Sequence, residues 1–338
     1  MFEIGAIDAL TVLQERSLAN ASGADSAKRY QNSAALLFSA PHHHFAFLNS
    51  NFSFKRSFHP QSRGSTPNGL TLLCYNKNRK DEVYNMTNPI TFNVSIGSEK
   101  PHSGTQKVCP FCHPENLTHI LDRKDDIIWL MNKYPVFEKT VPTVIVETAD
   151  HDGELSTYAP DKLHEVIAFG LAKWKEMESD KRFRSVIYFR NFGPTSGGSQ
   201  RHPHSQIIGL EEYDYRDNLQ GENFLGEVIY ENDDCYASLA EYPLSGVGEL
   251  NVTLKKEGGS DGFADTIQTL ARYVLSDFPI RCSSYNIFFY HLRNQIHAKI
   301  FPRFTASPLY MGYRITNVMD ETSKKRIIET LQSEKYFG

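Results

Sequence analysis

The segment Arg201-His202-Pro203-His204-Ser205-Gln206-Ile207-Ile208 places two imidazoles at i and i+2 and a side-chain amide at i+4. Successive side chains alternate along a β-strand, so His202, His204 and Gln206 would share one face. That face would carry two nitrogen donors, each a possible ligand or nucleophile, and one neutral hydrogen-bond donor. Immediately upstream runs Gly193-Pro194-Thr195-Ser196-Gly197-Gly198-Ser199. A Gly/Ser loop of this kind can bring backbone N–H groups against a phosphate. Together the two features point to phosphoryl or nucleotidyl transfer through a histidine nucleophile. The plain alternative is a strand with surface histidines.

A second cluster of reactive residues is Cys109-Pro110-Phe111-Cys112. Thiolates at this spacing bind one Zn²⁺ well. A haem attachment pattern completed by His113 needs an export signal, which the N-terminal residues do not resemble. A thioredoxin-like pair needs a βαβ unit, which the surrounding pattern does not offer. Zinc is the preferred reading, and a closed site needs two further ligands. His202 is the natural third, standing beside the active strand. His151, directly after a strand end in Thr148-Ala149-Asp150-His151-Asp152, is the first candidate for the fourth; His113, His119 and His164 are its rivals. Such a site would tie the cysteine knuckle to the strand of His204 and fix the His202 ring, leaving His204 free to react.

The elements that must position these groups can be read from residue 127 onward, where the chain repeats itself. The first copy has apolar strands at Ile127–Leu130 and Thr143–Glu147 and a helix at about Ala159–Met177. Strands at Arg184–Arg190 and through the histidine run follow. The second has Gly226–Tyr230, Leu250–Leu254, a helix at about Phe263–Leu275, then Ser284–Tyr290 and His297–Pro302. Helical stripes such as Leu163, Val166, Ile167, Gly170, Leu171 and Trp174 would face a sheet. Two copies of strand, strand, helix, strand, strand predict an α+β protein: duplicated domains of antiparallel sheets, with helices packed on one face. The corners Asn132-Lys133-Tyr134-Pro135 and Ala240-Glu241-Tyr242-Pro243 correspond. Where the first copy has His202, His204 and Gln206, the second has Gln295, His297 and Lys299. One catalytic centre per chain is therefore expected, on the first copy.

Length and composition set the frame. The chain has 338 residues and a formal net charge of −4, enough for one large or two smaller domains and unsupportive of general nucleic-acid binding. No apolar run approaches a membrane span. Five cysteines, an odd and low number, fit a reduced cytoplasmic protein better than a disulfide scaffold. Residues 1–85 contain a stretch rich in Ser, Asn, Ala and Phe with His42-His43-His44, and read as a poorly ordered extension; the natural product is expected to begin at Met86. The remaining domains are expected at 86–215, with the knuckle and catalytic histidine, and at 216–338, the degenerate copy.

The knuckle, Ala149-Asp150-His151, Asn191 ahead of the Gly/Ser loop, His202-Pro203-His204-Ser205-Gln206 and the duplication resemble the galactose-1-phosphate uridylyltransferase-like branch of the histidine-triad superfamily. The resemblance spans about residues 88–315. Met311-Gly312-Tyr313 also resembles that family's C-terminal substrate segment.

The resemblance implies that His204 attacks the α-phosphorus of a nucleoside diphosphate sugar and becomes a nucleotidyl-histidine. Gln206 would hydrogen-bond the phosphoryl oxygens. Cys109, Cys112, His151 and His202 match the Zn²⁺ ligands, and Asn132 and Asn191 match positions near the nucleotide and phosphate. Ser196, Gly197, Gly198 and Ser199 would cradle the phosphates. UMP or AMP would pass to a sugar 1-phosphate, in a homodimer. The chain departs from the pattern at Lys299, where a second metal-binding histidine often stands, and at Arg314. These departures leave the sugar open, and Lys299 argues against a second metal site. The alternative readings of the chain are a nucleoside diphosphate sugar phosphorylase or nucleotide hydrolase of the same fold, or a zinc-stabilised nucleotide-binding module.

Overall fold

The computed structural model describes residues 52–55, 73–76, 89–100, 108–304 and 307–338. The chain divides into two compact units, Met1–Asn85 and Met86–Gly338. In the first, strands β1 (Phe52–Lys55) and β2 (Leu73–Asn76) pair antiparallel. The expected poorly ordered extension otherwise lies outside the described residues, as does the triple histidine.

The second unit opens with α1 (Val94–Glu99), capped by the Asn93 side chain, which accepts from the Ile96 N–H at 3.1 Å. Strands β3 (Ile120–Lys124), β4 (Ile127–Met131) and β5 (Thr140–Val146) follow, then helix α2 (Pro160–Glu178) and strands β6 (Ser185–Phe192) and β7 (His204–Leu210). The order then repeats: β8 (Gly226–Glu231), β9 (Cys235–Ala240), β10 (Leu250–Leu254), α3 (Ser260–Ser276), β11 (Tyr285–Leu292) and β12 (Gln295–Pro302). Helices α4 (Pro308–Tyr313) and α5 (Glu321–Leu331) close the chain. No helix among the described residues is long and apolar enough to cross a membrane.

The repeat has three strands before its helix, one more than the sequence pattern offered. Ile127–Leu130 corresponds to Cys235–Ala240 and not to Gly226–Tyr230. The added strands β3 and β9 escaped notice for physical reasons. β3 is an edge strand with mostly exposed, charged residues, and β9 is built largely from Ala and Ser, which carry little strand propensity.

The two copies do not form separate sheets. All ten strands join one antiparallel sheet in the order β3-β4-β5-β7-β6-β11-β12-β10-β9-β8. The seam is β6 against β11, where Phe189 stands opposite Phe288 and Asn191 opposite Asn286. The strand order reads the same from either edge, so the copies are related by an approximate two-fold through the seam.

One face of this sheet is the main core. Ile145, Tyr188, Ile207, Ile287 and Ile300 on that face pack against Leu163, Ile167 and Trp174 of α2 and Phe263, Ile267 and Val274 of α3. The Trp174 indole donates to the Val186 carbonyl at 2.9 Å, fixing the helix on the strand. Gly170 permits the close approach: a Cβ there would stand 2.1 Å from the Tyr188 hydroxyl. Strand alternation sends the other set of side chains to the opposite face. There Ile128, Leu130, Val144 and Val146 form a smaller apolar cluster beneath Phe111 and Leu117. The cysteine knuckle therefore lies over the face that carries His204 and Gln206.

Candidate active site

Strand β7 presents His204 opposite Val146 and Gln206 opposite Val144 of β5. Both neighbours are apolar, so the polar pair stands out from a hydrophobic floor. His204 is buried, and its Nδ1 lies 2.9 Å from the carbonyl oxygen of His202. A carbonyl only accepts, so Nδ1 carries the proton and Nε2 holds the lone pair. Burial also pushes the pKa of His204 below the usual histidine range, which favours the neutral ring. A neutral imidazole with one nitrogen anchored and the other unprotonated has the form of a nucleophile.

His202 has the mirror arrangement. Its Nε2 lies 2.7 Å from the carbonyl oxygen of Thr148 and so carries the proton. Its Nδ1 is then free to bind, and it faces Cys112 Sγ at 3.5 Å. His151 Nδ1 approaches the same sulfur at 3.3 Å. One donor atom from each of Cys109, Cys112, His151 and His202 falls within 4.8 Å of every other. The knuckle is a short 3-10 turn, Pro110–Cys112, in which the Cys112 N–H bonds back to the Cys109 carbonyl at 3.3 Å. His151 is held by the turn after β5, where Asp126 accepts from the Thr148 hydroxyl at 3.1 Å and the Ala149 N–H at 3.0 Å. Two sulfurs and two imidazole nitrogens with this convergence fit a closed tetrahedral site. Of the rivals, His164 pairs with Asp265 at 2.7 Å and His113 with Glu115 at 3.1 Å; neither these nor His119 joins the cluster.

Phe111 links the cluster to His204. Its ring centroid lies 5.7 Å from those of both His202 and His204. Asn132, at the end of β4, reaches Gln206: its Nδ2 is 3.5 Å from Gln206 Oε1, at the long end of a hydrogen bond. With its oxygen toward Asn132, Gln206 has its NH₂ turned away from that residue.

The Gly/Ser loop is anchored at several points. Gly193 has φ 86°, and a Cβ there would meet the Ser283 carbonyl oxygen at 2.3 Å. The Ser196 hydroxyl donates to the Gly193 carbonyl at 2.7 Å and accepts from the Gly198 N–H at 3.3 Å. The second copy supplies the rest: Thr195 N–H donates to Ser284 Oγ at 3.1 Å, and Thr195 Oγ1 donates to the Arg303 carbonyl at 2.8 Å. Asn286 of β11 donates to Asn191 Oδ1 at 2.5 Å and to the Ser196 carbonyl at 2.9 Å. Asn286, Ser284 and Arg303 were not among the residues expected from sequence. Their role depends on the seam between β6 and β11, which no local pattern announces.

Other charged residues have structural partners. Arg190 is buried on the helix side, with Nε 3.0 Å from Glu147 Oε1 and Nη1 3.0 Å from the Tyr285 hydroxyl, so it braces the two copies behind the site. Arg201 is exposed and pairs with Asp152 at 2.8 Å. In the second copy Lys299 occupies the place of Gln206. It is fully buried, 3.0 Å from Glu249, 2.8 Å from Asn251 Oδ1 and 2.8 Å from the Asn223 carbonyl. Phe224 covers it, leaving a packed polar core there.

Comparison with known proteins agrees with this architecture. No curated protein sequence matches the chain. Among solved structures, a uridylyltransferase aligns with a TM-score of 0.55 and 18% identity, over 69% of this chain and 94% of that one. An ADP-glucose phosphorylase from Arabidopsis thaliana aligns with a TM-score of 0.51 and 15% identity, over 69% and 92%. At these identities the likeness is one of fold. A DUF4931 family protein from Bacillus cereus ATCC 10987 aligns with a TM-score of 0.57 and 38% identity, over 63% of this chain and all of that one, 100%. The profile of the N-terminal domain of DUF4931, a domain of unknown function, matches residues 92–213, and that of the C-terminal domain matches residues 216–337. The chain belongs to the DUF4931 family.

Proposed function

We propose that this chain is a nucleotidyltransferase acting on a nucleoside diphosphate sugar through a covalent nucleotidyl-histidine. The observation that carries the reading is the His204 ring, with Nδ1–H held by the His202 carbonyl and Nε2 unprotonated on a buried strand face. Nε2 attacks the α-phosphorus; an N–P bond forms and the P–O bond to the sugar phosphate breaks. The positive charge gained by the ring is stabilised through Nδ1–H against the His202 carbonyl. Donation to the phosphoryl oxygens is assigned to Gln206 and to the Gly197 and Ser199 N–H groups, the Ser196 and Gly198 N–H groups being spent within the loop on the Gly193 carbonyl and Ser196 Oγ. Glutamine has no acidic proton to give, which suits a leaving group that needs none, such as a sugar phosphate. The acceptor, a second sugar 1-phosphate or inorganic phosphate, takes the nucleotide by the reverse displacement.

Cys109, Cys112, His151 and His202 would hold Zn²⁺. Two thiolates and two imidazoles make a closed, structural donor set, so the ion would supply rigidity to the His202–His204 backbone and leave the displacement to this chain's side chains.

The reading is tested by isotope exchange. A covalent intermediate requires the protein to exchange labelled glucose 1-phosphate into UDP-glucose or ADP-glucose with no other substrate present. Binding of either donor without exchange points to a direct displacement or a binding module and ends the proposal. With exchange established, separate incubations with galactose 1-phosphate, phosphate and water identify the acceptor.

A further inference from the structure

The second copy lacks a histidine–glutamine pair of its own, yet one of its side chains is joined to the first copy's site. Asn286 on β11 is 3% exposed and stands opposite Asn191 across the seam. Its amide end has two neighbours, the backbone carbonyl of Ser196 at 2.9 Å and the amide of Asn191 at 2.5 Å. The orientation of both amides follows from the first. A carbonyl oxygen only accepts, so the Asn286 atom facing Ser196 is its NH₂. The Asn191 atom facing that same NH₂ must also accept, so it is Oδ1. The NH₂ of Asn191 is thereby turned toward the Gly/Ser loop, where a Cβ added at Gly198 would lie 3.9 Å from it.

We infer that Asn286 is a positioning residue for phosphate recognition: it sets the Asn191 amide so that its two N–H donors face an anion held by the loop. The inference rests on the nucleotidyl-transfer reading and goes beyond it by giving the degenerate copy a task in the site. The relay runs from Ser196 carbonyl to Asn286 to Asn191 to ligand, and each link has a fixed polarity. Reversing one link reverses the next. An aspartate at position 286 can only accept. It would repel the Ser196 carbonyl and draw the Asn191 NH₂ toward itself, leaving Asn191 Oδ1 facing the phosphate. An alanine at 286 merely releases Asn191, which can still turn its NH₂ to a ligand. A purely structural role gives no reason for aspartate to harm ligand binding through Asn191.

The test is calorimetric titration of the full, metal-loaded chain with UMP and with AMP, which occupy the nucleotide and α-phosphate positions without chemistry. Asn286→Asp is expected to weaken the tighter of the two by about tenfold or more, and Asn286→Ala by less. In an Asn191→Ala background the Asn286→Asp change is expected to cost no more than about twofold. Thermal melts identify any variant that does not fold. Should Asn286→Asp fail to fold, Asn286→Ala in the same cycle decides, its effect again vanishing without Asn191. Binding by Asn286→Asp equal to that of the parent, or a loss that persists in full without Asn191, overturns the inference. Tight binding by the parent together with no isotope exchange defeats the transfer reading while the Asn286 relay stands. No binding of either nucleotide by the metal-loaded parent overturns both.

Discussion

His202 and His204 are coupled through one backbone carbonyl: the oxygen of His202 lies 2.9 Å from His204 Nδ1, while the His202 ring faces Cys112 at 3.5 Å. Whatever fixes the His202 ring and backbone also fixes the reactive nitrogen two residues on. The Cys/His cluster and the proposed nucleophile are thus one mechanical unit, with His204 alone assigned to the phosphorus.

That coupling predicts the effect of metal removal. Chelation, or Cys112→Ser, is expected to lower the melting temperature and to slow formation of the histidine adduct, with His204 itself intact. Loss of a ligand is expected to weaken Zn²⁺ binding by more than about 100-fold. Metal content by mass spectrometry and a thermal melt measure both. Stoichiometric removal of the metal with an unchanged melt would show that the cluster has no such role.

Gln206 is expected to act by donating, with Asn132 near its oxygen. Gln206→Glu keeps the shape and replaces the donor with a negative charge beside the phosphoryl oxygens. The expected outcome is a fall in turnover of about 10²–10³, with the melt little changed. A glutamate variant with turnover close to that of the parent would remove Gln206 from the account.

Lys299 is expected to matter for stability and not for turnover. It is sealed against Glu249 in the second copy, away from His204. Lys299→Met strands the Glu249 carboxylate and is expected to cost about 3–5 kcal/mol of unfolding free energy. Adding Glu249→Gln should recover part of that loss, because the stranded charge is gone. Denaturant titration of the three proteins measures the cycle; equal stability of parent and Lys299→Met contradicts the reading.

His297 gives the pH dependence. Burial, with Lys299 nearby, pushes its pKa from 6.5 down to about 4. The unfolded chain takes up a proton below pH about 6.5 that the folded chain refuses until pH about 4. Stability is therefore full above that window and declines as pH falls through it, by up to about 3 kcal/mol from this residue. His297→Asn can still reach Thr253, whose hydroxyl lies 2.9 Å from His297 Nδ1, and is expected to flatten the decline. An unchanged slope between pH 6.5 and 4 would assign the effect to other groups.

Much of the site was legible because it is local. Cys109 and Cys112 are set by spacing within a turn, and alternation along β7 puts His204 and Gln206 on one face; His202 lies in a bend just before the strand, its ring held by the Thr148 carbonyl, which spacing alone did not announce. The helices were legible from the apolar stripes of α2 and α3. Long-range pairing was not. Pro142 lies inside the central strand β5, where a missing N–H argues against a strand, so the sequence placed the start of β5 at Thr143. The union of both copies in one sheet depends on β6 meeting β11 edge to edge, and every bond from Asn286, Ser284 and Arg303 to the loop follows from that meeting.

The most direct test of the central claim is the intact mass of the full, metal-loaded protein after brief mixing with UDP-glucose and, separately, with ADP-glucose. The account predicts a gain equal to UMP from the first donor or AMP from the second, absent in a folded, metal-loaded His204→Asn protein. No gain from either donor, or the same gain in His204→Asn, would contradict it.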